Sequence, residues 1–475
     1  MQAHNEPTRR FPHHASPVTH RPATQRPPGP RDLWGLKFVQ RFRTAPLLLM
    51  LELHKHYGDI VYARMGPYYA FFFFHPEHIR EIVTDKIKLL PKFRRQVRVL
   101  QQWDGNGLLL SEGEGWVRQR RLVQPAFQVQ RFTGYGEAMV QKAESLAQAW
   151  EGYSDGSVIN VEEAMTHLTL AIIAKTLFDT DITADTHDLR KAVAILSETA
   201  FREFGEVIRW PDWVPFPRMR AKKWAMHYLD STIRRFIAEC RQTGDDRGDL
   251  LSMLLHAVDA EGAQARMTDA QARDEAMVLF LAGHDTTAAG LTWFWYIMGK
   301  YPEIQQRAHD EIERVLQKRS PGFADVAQLA YLRAVIQETL RLYPPAIGIF
   351  AREATAHLEL GGYAIPKGSI VYAFSYVTHR DERWFPEPER FDPERFLGEK
   401  ASKVSPYAYF PFGAGPRACI GAQFALTEMT LVAACLLRRF VFSLRPGERD
   451  PEPYTHLSLR PRGGLSMVLR KRGNA

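Results

Sequence analysis

Eleven consecutive residues bring together what a reactive sulfur needs: Pro411, Phe412, Gly413, Ala414, Gly415, Pro416, Arg417, Ala418, Cys419, Ile420 and Gly421. Glycines let the backbone turn tightly and approach a thiolate, whose charge is stabilised by amide donors and the start of a following helix. Phe412 can shield the sulfur. The bland alternative is a buried small apolar side chain at a helix start, the usual fate of a lone cysteine. A second cluster, Ala282, Gly283, His284, Asp285, Thr286 and Thr287, lies within an otherwise apolar stretch. A threonine hydroxyl beside a helix distortion there can hold water in a groove opened by Ala282 and Gly283, or merely bond back to the backbone. Glu338 and Arg341 stand at i and i+3 on one helix face, a common pair that alone says nothing.

The eleven-residue string resembles the haem-binding loop of the cytochrome P450 superfamily, with Phe412, Gly413, Arg417, Cys419 and Gly421 at its diagnostic positions. The resemblance implies haem b with the Cys419 thiolate as axial ligand, which pushes electron density onto iron and favours O–O cleavage. It implies a propionate partner in Arg417, and others in Trp116, Arg120 and Arg352. Asp285 and Thr286 are implied in proton delivery, general acid work that a buried oxygen requires, with Ala282 against the haem. Glu338, Arg341 and Arg395 become a structural network behind the loop. Leu279, Ala282, Ala346, Ile347, Ile349 and Leu457 are implied to face substrate, and all are apolar.

The implied activity is a monooxygenase placing one atom of O2 into a hydrophobic substrate by hydroxylation or epoxidation. The motifs look nearest to fatty-acid hydroxylases and their soluble relatives, so a fatty acid or terpenoid-like substrate is expected. No GxGxxG follows a strand to open a helix, and no Walker loop occurs. Electrons are therefore expected from a separate ferredoxin and ferredoxin reductase, or a flavodoxin-type donor. Arg118, Arg121, Arg438 and Arg439 are candidate docking charges for it. A peroxide-driven peroxygenase and a non-catalytic haem sensor are the rivals, and the Asp285–Thr286 pair speaks against both.

These residues need elements to hold them. Positions 59–74 alternate and then run through Phe71 to Phe74, which predicts a hairpin with the phenylalanines in the sheet core. Helical periodicity dominates 112–315, broken near Pro211 to Pro217 and over 242–249. Thr268 and Gln271 form a capping box ahead of a long apolar helix that Pro302 ends. At ~1.5 Å per residue, its roughly 33 residues would span about 50 Å. Ala276 to Met298 is almost as apolar as a membrane span, but Asp285 at mid-bilayer would be costly, so a buried helix is expected. A helix near 327–342 stops at Tyr343, Pro344 and Pro345. Strand-like pieces over 357–375, a Pro-rich meander over 381–396, the glycine loop and a last helix over 419–438 follow. The expected fold is mainly α with small β-sheets, cytochrome P450-like by resemblance, its long central helix crossing the domain beside the haem.

Composition narrows the rest. Basic and acidic residues, 62 and 54, are interspersed, and no basic block with interleaved aromatics appears, so nucleic-acid binding is not expected. Cys240, Cys419 and Cys435 are too few and scattered for a disulfide framework, which suits a reducing, cytoplasmic setting. Cys435 reads as core. His75 and His78 mimic metal spacing without a third ligand, and read as a strand-to-helix junction. Residues 1–30 hold seven prolines and no apolar run. They read as a disordered extension ahead of one catalytic domain over 31–475, a soluble monomer with no membrane span.

Overall fold

The computed structural model describes residues 26–181, 186–206, 216–243, 248–257, 267–455 and 457–473. It is mainly helical with small sheets, as expected. The helices used below are α1 (Arg94–Asp104), α2 (Gly113–Val123), α3 (Val161–Phe178), α4 (Asp269–Lys300), α5 (Ala330–Leu342) and α6 (Ala422–Arg439).

α4 begins where its cap predicts. Thr268 Oγ1 accepts the Gln271 N–H, and the Gln271 side chain accepts the Thr268 N–H in return. It stops at Lys300 because Pro302 opens the next helix. Trp293, Phe294 and Trp295 on α4 are fully buried. Among the described residues, no helix is long and apolar enough to cross a membrane. α3 packs closely on α4 at Gly283, where a Cβ would come within 2.7 Å of Ile173 Cδ1. A larger residue there would make the Ile173 side chain shift.

The expected hairpin is β1 (Ile60–Met65) and β2 (Tyr68–Phe73), in register from Ile60 opposite Phe73 to Met65 opposite Tyr68. Phe71 to Phe74 are all buried, each contributing on the order of 2 kcal/mol of apolar burial. β3 (Ser157–Asn160) interrupts the stretch expected to be helical. Its partner is distant in sequence, so local periodicity does not reveal it. β4 (Arg352–Glu353), β5 (Leu358–Leu360), β6 (Tyr363–Ile365) and β7 (Ile370–Ala373) follow α5, then β8 (Phe440–Leu444), β9 (Pro453–Thr455), β10 (Leu459–Pro461) and β11 (Ser466–Lys471). β3 pairs with β11, some three hundred residues later, in the sheet β3-β11-β8. The larger sheet runs β1-β2-β7-β4, while β5–β6 and β9–β10 are hairpins. The breaks expected near Pro211 to Pro217 and over 242–249 fall largely outside the described residues. So do residues 1–25 of the expected extension. Residues 26–30 instead lie along β1: the Tyr62 N–H donates to Pro28 O, and Arg26 stacks over Tyr62 and Tyr69.

Behind the glycine loop, Glu338 and Arg341 of α5 are wholly buried, with Arg341 Nε 2.7 Å and Nη2 2.8 Å from the two carboxylate oxygens. The Asp392 N–H donates to Glu338, and Arg395 Nε stands 3.4 Å from it, so the pair gathers the meander. His379, also buried, bonds through Nδ1 to Arg341 O and accepts the Phe410 N–H at Nε2. Removing one partner of such an ion pair strands a buried charge, so Arg341→Met is expected to cost about 3–5 kcal/mol in urea unfolding.

Burial pushes His379 down to about 3, so the folded ring is neutral. In the unfolded chain it titrates near its ordinary value, roughly 6.5. The unfolded state therefore binds the extra proton, and the stability this group contributes is complete above about pH 6.5 and declines as pH falls. His379→Gln is expected to lower stability at neutral pH and to flatten the acid slope by up to about 1.4 kcal/mol per pH unit, measured from urea midpoints.

Candidate active site

A single cavity of about 1830 Å³ is lined by every residue singled out from the sequence as catalytic, cofactor-binding or substrate-facing. α2 contributes Trp116 and Arg120, and α4 contributes Leu279, Ala282, Asp285 and Thr286. Ala346, Ile347, Ile349 and Arg352 follow α5, Phe412, Arg417 and Cys419 come from the glycine loop, and Leu457 from the β9–β10 turn.

The loop has the conformation its glycines require. Gly415 has φ +70°, and a Cβ there would lie 2.5 Å from Val83 O, so only glycine fits. The Cys419 N–H donates to Phe412 O at 2.9 Å, and the Gly421 N–H points to the sulfur. α6 starts three residues later. Cys419 is accessible, but to this interior cavity. Burial pushes its thiol up, and the Gly421 N–H and Arg120 offset part of that. A coordinated metal deprotonates such a thiol outright.

Among the cations that border the same cavity are Lys92, Arg120, Arg352 and Arg417. Glu112 is the carboxylate that pairs with Lys92, Arg352 and Arg417 among the described residues. It lies 3.1 Å from Lys92 and 3.9 Å from Arg352, and it also holds Arg417. Arg417 donates to Ser111 O and covers the Trp116 ring at 3.9 Å, while Arg120 donates to Ala418 O. Buried Arg352 leaves Nε and Nη1 without hydrogen-bond partners. Burial pushes Lys92 down to about 8, the response of a cation short of counter-charge. Two buried and two half-buried cations against one carboxylate suit a bound anion. A haem, with an iron for Cys419 and two propionates for this cluster, fits the donor set.

On α4 the expected helix distortion is absent: the helix runs unbroken from Asp269 to Lys300. Thr286 faces the cavity with its hydroxyl donated to Ala282 O at 2.9 Å. Asp285 is held by Arg460, with Nη2 2.7 Å from its Oδ1, and Arg460 also grips Glu162 at 2.7 Å. Burial alone would raise the Asp285 carboxyl, but Arg460, His284 and the Ser458 hydroxyl together hold it below the ordinary range. Sequence reasoning missed Lys92, Glu112, Ser458 and Arg460. Nothing local marks them, since their partners are brought near only by the fold.

Two other expectations resolve differently. Arg438 bonds Glu313, Arg319 O and Gln317 O, and Arg439 pairs with Glu144 and Glu151. They end α6, about 27 Å of helix away from its start near Cys419, so their charges are already engaged far from the loop. Arg118 and Arg121 lie on α2, which borders the cavity, and they too have interaction partners. His75 caps a short helix by accepting the Glu77 N–H, as a junction residue would. His54, Asp59 and Asp381 could hold a metal by distance, but the Arg383 guanidinium bonds both carboxylates and fills that place.

The family model described as Cytochrome P450 matches residues 27–467. The chain belongs to the cytochrome P450 family. Cyclooctatin synthase of Streptomyces melanosporofaciens is 36% identical over 422 residues, covering 88% of this chain and 90% of that protein. Cyclooctat-9-en-7-ol 5-monooxygenase of the same organism is 35% identical, covering 85% of this P450 and 86% of its relative. Pentalenene oxygenase of Streptomyces avermitilis is 33% identical, covering 86% and 89%. As a P450 the chain is a monooxygenase with a cysteine-ligated haem, and it uses O2, redox partners and a hydrophobic substrate.

Loss of the Arg460 pairing should free the Asp285 carboxyl to respond to its burial. Arg460→Gln is expected to move the acid limb of the turnover–pH profile upward by at least about one pH unit. An acid limb unchanged from the wild type would show that Arg460 does not set this carboxyl.

Proposed function

We propose that this P450 hydroxylates or epoxidises a terpenoid. The observation that carries the reading is the cavity wall over the substrate side: Leu279, Ala282, Ala346, Ile347, Ile349 and Leu457 offer shape and apolar surface. The names of two relatives at 35% and 33% identity, cyclooctat-9-en-7-ol 5-monooxygenase and pentalenene oxygenase, support terpenoid over fatty acid.

Haem b, when bound, supplies the reduction of O2 and the insertion of one oxygen atom. Cys419 would ligate its iron, with the Gly421 N–H and the Phe412 ring tuning and shielding the sulfur. Arg120, Arg352, Arg417 and Lys92 would hold its propionates, and Trp116 braces Arg417 from below. Thr286 would turn its hydroxyl from Ala282 O toward the cavity and pass a proton inward. Asp285, kept ionised by Arg460, would accept a proton from the solvent side and hand it to that hydroxyl, which returns the carboxyl to its ionised form. The apolar wall would exclude other water and orient the reacting C–H bond.

A separate ferredoxin and ferredoxin reductase, or a flavodoxin-type donor, would supply electrons, with Arg118 and Arg121 helping to dock it. Three free thiols suit a reducing cytoplasm, and a monomer suffices because the cavity is built from one chain.

The reduced carbon-monoxide spectrum of the wild type is expected to show the long-wavelength Soret band of thiolate-ligated haem, and Cys419→Ser to lose it. Turnover of a polycyclic terpene should require the electron donor and NADPH. Product formed only with added peroxide would instead establish the peroxygenase chemistry.

A further inference from the structure

α1 ends on Asp104, directly after Trp103, and both residues line the cavity. Asp104 is 4% exposed, and its Oδ1 has no hydrogen-bond partner. The neighbouring cation acts on it through space, with its hydrogen bonds directed elsewhere. Arg273 is spent on Asp230 at 2.7 Å, on Trp103 O at 2.6 Å and on Asp274 at 3.1 Å. The cavity that Asp104 lines also presents the apolar side chains of Leu100, Leu108, Leu109 and Val278. A buried carboxyl oxygen kept without a hydrogen-bond partner is costly, and removing the group would stabilise the protein unless a ligand repays the cost.

The position is fixed from behind. The Asn106 N–H donates to Asp274 at 2.8 Å and the Leu108 N–H to Glu275 at 2.9 Å, so the loop after Asp104 is strapped to α4. From Asp274 to Ala282 the helix advances about 12 Å, roughly the length of a fused polycyclic skeleton.

We propose that Asp104 is a specificity-determining residue that hydrogen-bonds a hydroxyl group already present on the terpenoid, at the end of the molecule remote from the oxidised carbon. This deepens the terpenoid reading above and rests on it. A hydroxyl both donates and accepts, so it pairs with the carboxyl whether or not the carboxyl carries its proton. Burial pushes Asp104 up to about 7, with Arg273 opposing and Asp274 reinforcing, so both forms are present near neutrality. A substrate that already bears a hydroxyl must come from an earlier hydroxylation or from a cyclisation ended by water. This enzyme would then act second, on the alcohol.

The test uses the haem-loaded enzyme and matched pairs that differ only by the hydroxyl: borneol and bornane, menthol and p-menthane, cedrol and cedrane. Dissociation constants are read from the ligand-induced Soret shift, with thermal midpoints measured alongside. By hydrophobicity alone each hydrocarbon would bind better than its alcohol. The expected result is that at least one alcohol binds about tenfold or more tighter than its hydrocarbon. Asp104→Leu should abolish that preference and raise the thermal midpoint, while Asp104→Asn, which still donates and accepts, should retain it. Alcohol preference persisting in Asp104→Leu, or hydrocarbons binding the wild type as tightly as alcohols, overturns the anchor and leaves the terpenoid reading standing. No shift with any of the six ligands overturns the terpenoid reading itself, and the anchor with it.

Discussion

Glu338 and Arg341 expose no surface, so every polar atom of the pair must be answered by protein. That requirement propagates. Arg341 Nη1 donates to His379 O, and His379 returns a bond to Arg341 O through Nδ1. The His379 Nε2 accepts the Phe410 N–H, the Gly413 N–H reaches back to Phe410 O, and the Cys419 N–H closes on Phe412 O. A path of directional bonds thus runs from a buried ion pair to the backbone of the cysteine. Apolar substitution of both ions could leave stability little changed. It would still remove the directional bonds, and with them the means of holding the sulfur at one height in the cavity.

Polar groups around the cavity divide into those the protein satisfies and those it leaves waiting. Glu338 and Asp285 belong to the first kind, each with its guanidinium within 2.7 Å. Arg352 and Asp104 belong to the second, buried with atoms unanswered by the chain. The division is physically informative because an unpaired buried group costs more than a hydrogen bond returns. Groups of the first kind fix geometry. Groups of the second kind mark where an anion or a hydroxyl-bearing ligand repays the cost, and their charges differ accordingly.

What could be read from the sequence was what local chemistry controls. The glycine loop, the Thr268–Gln271 cap, the stop at Pro302 and the Phe71–Phe74 sheet core all depend on neighbours within a few residues, and each appears in the structure. Lys92 meets Arg352 only because the chain forms an isolated bridge between them, and Arg460 reaches Asp285 across 175 residues of sequence. β3 was invisible for the same reason, since it is a strand only through β11. Arg438 and Arg439 misled in the opposite sense. They are near Cys419 in sequence, yet a helix converts that nearness into distance. The distortion expected at Thr286 failed because the hydroxyl returns to Ala282 O without breaking the helix.

One hairpin joins the two halves of the chemistry. Tyr454, Thr455 and Leu457 of the β9–β10 segment line the cavity, while Ser458 and Arg460 of the same segment bind Asp285. The hairpin is itself tethered, since Trp293 on α4 donates to Leu459 O and the Leu459 N–H donates to Pro345 O. The segment that presents Leu457 to the cavity therefore also carries the guanidinium that holds the Asp285 carboxylate, and its tethers to α4 and Pro345 fix both at once.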